Sequence, residues 1–278
     1  MTLLPEAEIL RKELEKEVVG QRIKRVTVVP DAGDPSGLAT VLGGQRIEGV
    51  IRQGTNLALR FKDGTALVIR AGCVATLTRQ GDGNQERPSS PLDEQVEIVL
   101  TLEGGDVLTC LDAERNGAVR LVSADEFNGS PEFVPIGLDP FTSTSTWLEF
   151  SRQLVIRNSR LRALLSDDTF VIGLGDRYSD EILWAAGLSG MRSSAGLSAQ
   201  EVRRLYRAIQ EVLHEAVKQV RGIGDSADED PFEDSLARQH LKVYGRAGQP
   251  CPRCRQQIVL KQIDNPPVGS YCCPNCQT

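Results

Sequence analysis

The chain has no unbroken apolar run of the roughly 18 residues that a membrane-spanning helix needs, so nothing in it reads as a membrane segment. Its opening, MTLLPEAEIL, lacks a basic stretch leading into an apolar one. A secretory leader is therefore not expected, and the expectation is a cytoplasmic protein. Positive charge is also in short supply: 32 Lys and Arg stand against 38 Asp and Glu, a formal net charge of -6. Domains that grip nucleic acid broadly are basic, because Lys and Arg must replace the counterions around phosphates. The balance argues against tight, general nucleic-acid binding and leaves room for a local basic face. There are only two histidines, His214 and His240, and neither has a partner in sequence. Both read as core or surface residues. No internal repeat is visible.

What is present fits a globular chain of 278 residues, 40% hydrophobic and 25% charged, long enough for two cored domains and a small appendage. Residues 6–19 place Ile9, Leu10, Leu14 and Val18 at helical spacing, and Gly20 ends the run. From Arg22 to Ser123 the sequence breaks into short β-prone runs: IKRVTVVP, GLATVLGG, EGVIRQG, LALRFKDG, TALVIRAG, QVEIVLTLEGG, DVLTCLDA and GAVRLVS. Residues 61–64 and 103–106 look like hairpin turns, and 79–91 reads as a polar, mobile loop. Evenly spaced short strands predict a sandwich or barrel. From Trp147 the pattern turns helical, over 158–166, 178–187 and 198–220, with Ser198 and Glu201 placed as a capping box. Residues 222–235 are acidic and read as a solvated loop. Trp147 and Trp184 read as packing residues.

The chain has seven cysteines. Cys251-Pro-Arg-Cys254 and Cys273-Pro-Asn-Cys276 form two knuckles with residues 255–272 between them, a spacing that suits one four-cysteine zinc site on a β-hairpin. The segment IVLKQI would supply a strand, and Zn2+ would drive the folding of a piece too small for its own core. The alternatives are free thiols or disulfides. Cys272 reads as a neighbour rather than a ligand, and Cys73 and Cys110 as small apolar core residues.

Several segments together resemble the formamidopyrimidine-DNA glycosylase/endonuclease VIII family. They are Leu4-Pro5-Glu6-Ala7-Glu8, residues 173–181 (GLGDRYSDE), Val243-Tyr244-Gly245-Arg246 running into the first knuckle, and the closing Cys273-Pro-Asn-Cys276-Gln277. The resemblance spans nearly the whole chain. It implies an α+β architecture in three parts: an N-terminal helix plus β-sandwich over 1–135, a helical domain with a helix–two-turn–helix motif over 136–240, and a zinc finger over 241–278. DNA would lie in a cleft between them. Family enzymes attack a damaged nucleotide's sugar with the amine of a proline exposed by removal of the initiator methionine. The matching residue is Thr2, whose primary amine could form a Schiff base. The family's next residue is a glutamate that moves protons, and here it is Leu3, which cannot. Glu6 matches a second acidic position, or else is a helix N-terminal carboxylate facing the dipole.

Other family positions differ as well. A DNA-contacting lysine corresponds to Thr55. The three side chains that fill the gap left by a flipped base correspond to Cys73, Glu114 and Asn116. An asparagine that contacts the DNA backbone corresponds to Asp176, and a phosphate-gripping finger arginine falls near Val268. The candidate DNA-binding residues carried by the resemblance are Arg115, Asp176, Arg246 and Arg253. Arg152, Arg157, Arg160, Arg162, Arg177, Arg203, Arg204, Arg207, Arg246, Arg253 and Arg255 either form one basic face or are ordinary solvated positions paired to acids. Three functions follow. The first is a DNA-binding module with base-excision chemistry reduced or lost, at home in the cytoplasm or on the nucleoid. The second is a divergent glycosylase or abasic-site lyase using the Thr2 amine and Glu6. The third is a protein-interaction module whose acidic surface meets a basic protein partner.

Overall fold

The computed structural model describes residues 3–29, 37–70, 74–78, 96–112, 119–142, 146–219, 240–263 and 268–278. The described residues up to Val134 form one compact unit, and those from Pro135 onward form a second. Among the described residues no helix is long and apolar enough to cross a membrane. The 79–91 loop and the acidic 222–235 stretch lie outside the described residues.

The first unit opens with helix α1 (Leu4–Val18), which starts two residues before the periodicity predicts. Leu3 is extended at the N-cap, and Pro5 takes a first-turn position whose N–H would have no helical partner. Leu10, Leu14 and Val18 are buried along one side of α1. Gly20, at φ +89°, turns the chain out of the helix and donates its N–H to the Ile47 carbonyl.

Eight strands follow: β1 (Ile23–Val29), β2 (Ile47–Gln53), β3 (Asn56–Phe61), β4 (Thr65–Ile69), β5 (Val74–Thr78), β6 (Val96–Leu102), β7 (Val107–Asp112) and β8 (Val119–Ser123). They form two antiparallel sheets, ordered β1-β6-β7-β5 and β2-β3-β4-β8. Ile23, Leu100 and Leu108 of one sheet share a core with Leu57, Leu59, Phe61 and Leu67 of the other. The result is a sandwich, one of the two architectures that the even strand spacing predicts.

The turn at 61–64 closes with Gly64 at φ +82°, and the Asp63 carboxylate accepts the Thr65 N–H. One expected strand is a helix. GLATVLGG folds as α2 (Leu38–Leu42), entered through Gly37 at φ +62°, with Leu38 and Leu42 in the sandwich core. Five residues with apolar ends at i and i+4 satisfy a single helical turn as readily as a strand, and the flanking glycines decide. A short helix, α3 (Ala124–Gly129), capped by the Ser123 hydroxyl, was not visible in the sequence pattern. Its Phe127 packs with Phe133 on Ala58, Ala66 and Val68, where small residues leave β3 and β4 open to it.

In the second unit, α4 (Trp147–Ile156) is capped by the Thr146 hydroxyl, and α5 (Leu161–Leu165) follows. The next helix, α6 (Gly175–Ala186), ends at Gly187 in the left-handed region. Two turns lead to α7 (Ala199–Gln219), where the capping box forms in both directions. The Ser198 hydroxyl accepts the Glu201 N–H, and the Glu201 carboxylate accepts the Ser198 N–H. Trp147 packs on Phe150 and Tyr206, His214 on Phe141, and His240 on Tyr178. Strands β9 (Val259–Ile263) and β10 (Val268–Cys272) make the hairpin expected between the knuckles.

Candidate metal centre and nucleic-acid interface

The two Cys-x-x-Cys knuckles bring Cys251, Cys254, Cys273 and Cys276 together, with all four sulfurs within 4.8 Å of one another. Cys254 and Cys273 are 3.4 Å apart, and Cys251 and Cys276 are 3.9 Å apart. Sulfurs placed about 2.3 Å from a tetrahedral zinc stand roughly 3.8 Å from each other, so the set is sized for that ion. Cys272 is not in the cluster; it ends β10 opposite Val259.

The thiols do not share protons evenly. Burial pushes Cys251 up, but N–H donors from Trp184 and from the backbone of Cys254 and Arg253 prevail and bring it down to about 6. Cys276 is pushed up to about 12, by burial first and then by its thiol neighbours. Once one thiolate forms, the next is resisted by like charge, a conflict that a bound cation relieves.

Helix α6 holds this segment at three places. Glu181, only 3% exposed, accepts the backbone N–H groups of Lys242, Val243 and Tyr244, each at 2.8 Å. Asp180, fully buried, accepts the Ser270 hydroxyl and the Tyr271 N–H, both at 2.7 Å. Its other interaction is with Arg162, whose Nε lies 2.8 Å away. Burial pushes both carboxyls up, and the Arg162 charge and the N–H donors oppose that shift. Trp184 makes the third connection, its indole N–H 3.4 Å from the Cys251 sulfur.

Sequence reasoning gave Asp180 and Glu181 no role, placed Arg162 on a helix surface, and saw Trp184 only as packing. A signal was present: Glu181 follows Tyr178 by three residues and precedes Ile182, which puts an acid on the apolar side of an amphipathic helix. Arg162 is also a correction to the basic face. It is 1% exposed and ion-paired, so it cannot display charge beside Arg152, Arg157 and Arg160.

Three of the four candidate DNA-binding residues have partners within the second unit. Asp176, at the exposed start of α6, accepts from Arg162 Nη2 at 2.8 Å. Arg246 donates to Gln249 and to the Leu241 carbonyl. Arg253 stacks over Trp184, 4.4 Å from the ring centroid, and reaches the Trp184 and Ala185 carbonyls at the end of α6. Arg115 lies outside the described residues. Val268 is the first residue of β10, paired with Ile263.

In the first unit Thr2, Cys73, Glu114 and Asn116 lie outside the described residues. Leu3 caps α1, and Glu6 in its first turn is 4% exposed. Thr55 sits in the β2–β3 turn after Gly54 at φ +59°. That turn is tied to α1: Arg52 donates to Glu8 at 2.8 Å and to the Gly54 carbonyl at 2.6 Å. Burial raises the Glu8 carboxyl, but Arg11 and Arg52 outweigh it and leave it below the usual range.

Comparison with known proteins matches this arrangement along the whole chain. The formamidopyrimidine-DNA glycosylase N-terminal domain matches residues 1–119, and the formamidopyrimidine-DNA glycosylase H2TH domain matches 136–227. A formamidopyrimidine-DNA glycosylase of Pelotomaculum thermopropionicum is 30% identical over 100% of this chain and 99% of its own. One of Moorella thermoacetica is 32% identical over 93% of each. Among solved structures, Lactococcus lactis Fpg in complex with abasic-site DNA superposes with a TM-score of 0.77 at 27% identity, covering 99% of both chains. MutM in complex with DNA containing carbocyclic 8-oxo-G gives 0.75 at 27%, again over 99% of both. With the sandwich, the two-turn helical motif and the cysteine hairpin in the same order, the chain belongs to the formamidopyrimidine-DNA glycosylase family.

Proposed function

We propose that this protein is a DNA-binding member of its family, closed at its C-terminal hairpin by a structural zinc ion, in which base-excision chemistry is reduced or lost. The observation that carries the reading is Leu3. It caps α1 at the place where the family resemblance puts a proton-transferring glutamate. An isobutyl group neither donates nor accepts a proton, so opening of a sugar ring would lose its general acid–base step. Glu6 is the remaining acid of that turn, and it is buried.

Two further features support the reading. The β2–β3 turn carries Thr55 where the family resemblance has a lysine. Asp176 presents a carboxylate, already held by Arg162, where the resemblance has a neutral amide. Each exchange removes attraction for phosphate or adds repulsion, and together they lower affinity and its dependence on salt. DNA remains the partner, as it is in the solved relatives bound to DNA that contains carbocyclic 8-oxo-G or an abasic site. Zinc is supported by the donor set: four thiols within 4.8 Å of one another, enough to fill a tetrahedral shell.

The test is borohydride trapping on a duplex with one abasic site, run beside a variant that retains Met1. The expected result is binding without a covalent adduct. An adduct that disappears in the Met1-retaining variant would overturn the reading and make the Thr2 amine a working nucleophile.

A further inference from the structure

Trp184 lies on α6, 67 residues before Cys251 in sequence, yet its indole N–H points at that sulfur from 3.4 Å. Its ring belongs to the apolar cluster that encloses the knuckles, with Val243, Ile258, Cys251 and Cys273 buried around it. On the ring's open face the Arg253 guanidinium sits 4.4 Å from the centroid, anchored by the Trp184 and Ala185 carbonyls. The side chain is thus held on one face by a cation and at its edge by a thiol, a geometry that packing alone does not require.

We propose that Trp184 is a functional part of the metal centre, an N–H···S donor that tightens metal binding at Cys251 and joins the centre to α6. The inference rests on the zinc reading of the four cysteines. Four thiolates around one divalent ion leave a net charge of about −2, and that excess sits on sulfur. An N–H aimed at one sulfur draws some of this density off and fixes the ligand's orientation before the metal arrives. Arg253 adds to the effect, because a cation over the π face draws electron density from the indole and makes its N–H a better donor. The sequence hides this role, since a tryptophan at an amphipathic helix position ordinarily signals packing.

The experiment compares the full chain with Trp184→Phe and with the same chain carrying β-(3-benzothienyl)alanine at position 184. Phe keeps an aromatic ring under Arg253 and loses the N–H. The benzothienyl analogue keeps the bicyclic shape and replaces N–H with sulfur, so it remains informative if the smaller ring impairs folding. Zinc affinity is read by competition with a chromophoric chelator, and the cobalt-substituted chain by its thiolate-to-metal charge-transfer band. Both variants are expected to bind zinc about 10- to 100-fold more weakly. Their bands should move to longer wavelength, because a sulfur lone pair without its hydrogen bond rises in energy. Wild-type affinity with an unshifted band in the benzothienyl chain would overturn the proposal and leave Trp184 a packing residue. A wild-type chain that takes up neither zinc nor cobalt would instead remove the metal reading itself, and this inference with it.

Discussion

The two compact units close their interiors by different means. The sandwich core is shut by apolar burial, with leucine, isoleucine, valine and phenylalanine from both sheets and α1 at its centre, and the unit's buried acids, Glu6 and Glu8, lie on α1. In the second unit charged and polar groups stand among the apolar ones: Arg162, Asp180, Glu181, Ser270 and Gln277 are all buried. Strands of five to seven residues in two facing sheets offer enough alternating apolar surface to bury one another. The cysteine segment has one two-stranded hairpin and few large apolar side chains, and a lone hairpin does not hold in water. It is fixed instead by carboxylates that capture its backbone N–H groups and by four thiols. What the difference teaches is that a small appendage can take its order from a neighbouring helix when that helix carries buried acids.

Four experiments would break or sharpen this contrast. The largest effect is expected from metal removal. Chelation should abolish hydrogen-exchange protection of the amides at 242–244, 259–263 and 268–272, and leave β2, β3 and β4 protected. Equal loss in both units would mean that they fold as one. Next is Arg162→Met, which leaves Asp180 buried beside a thioether; a cost of about 3–5 kcal/mol in urea unfolding is expected. A value near zero would show that the Ser270 and Tyr271 donors suffice.

In the sandwich, Leu59→Ala should cost about 2–5 kcal/mol by making a cavity between the sheets, with no change in zinc affinity. The smallest effect belongs to Glu201, which is held near 2, below its ordinary 4.5, first by Arg192 and then by Ser198. Because the folded value is the lower one, its contribution is complete above about pH 5 and disappears as pH falls from 4.5 toward 2. Glu201→Gln should therefore lower the melting temperature slightly at neutral pH and converge with wild type in acid. A constant gap down to pH 2 would count against the ion pair.

The cysteine cluster was legible because ligand spacing is a local property of the chain. The strands were legible because short β-prone runs such as LALRF and TALVI are cut by Gly- and Asp-containing turns; both faces of these two strands are largely buried, so no polar alternation marks them. Residues 37–44 misled because apolar residues at their ends suit one helical turn as well as a strand, and only the glycine dihedrals separate the two. Asp180 was not legible as a structural acid, and Glu181 only through its place beside Tyr178 and Ile182. Adjacent carboxylates on a helix ordinarily face water, and the hairpin groups that bond to these two lie 61 to 91 residues further along. Arg253 was placed among the DNA-binding candidates, and nothing local to its knuckle reveals that it also reaches the end of α6.

The chain's two tryptophans, Trp147 and Trp184, both lie in the second unit. Intrinsic tryptophan fluorescence therefore reports on that unit and is blind to the sandwich, whose unfolding registers in far-ultraviolet circular dichroism. A melt followed by both signals contains its own check on cooperativity, because a single transition makes the two curves coincide. Where they part, emission follows the second unit's helices and the cysteine hairpin, and the dichroism that persists after it belongs to the sandwich strands and α1.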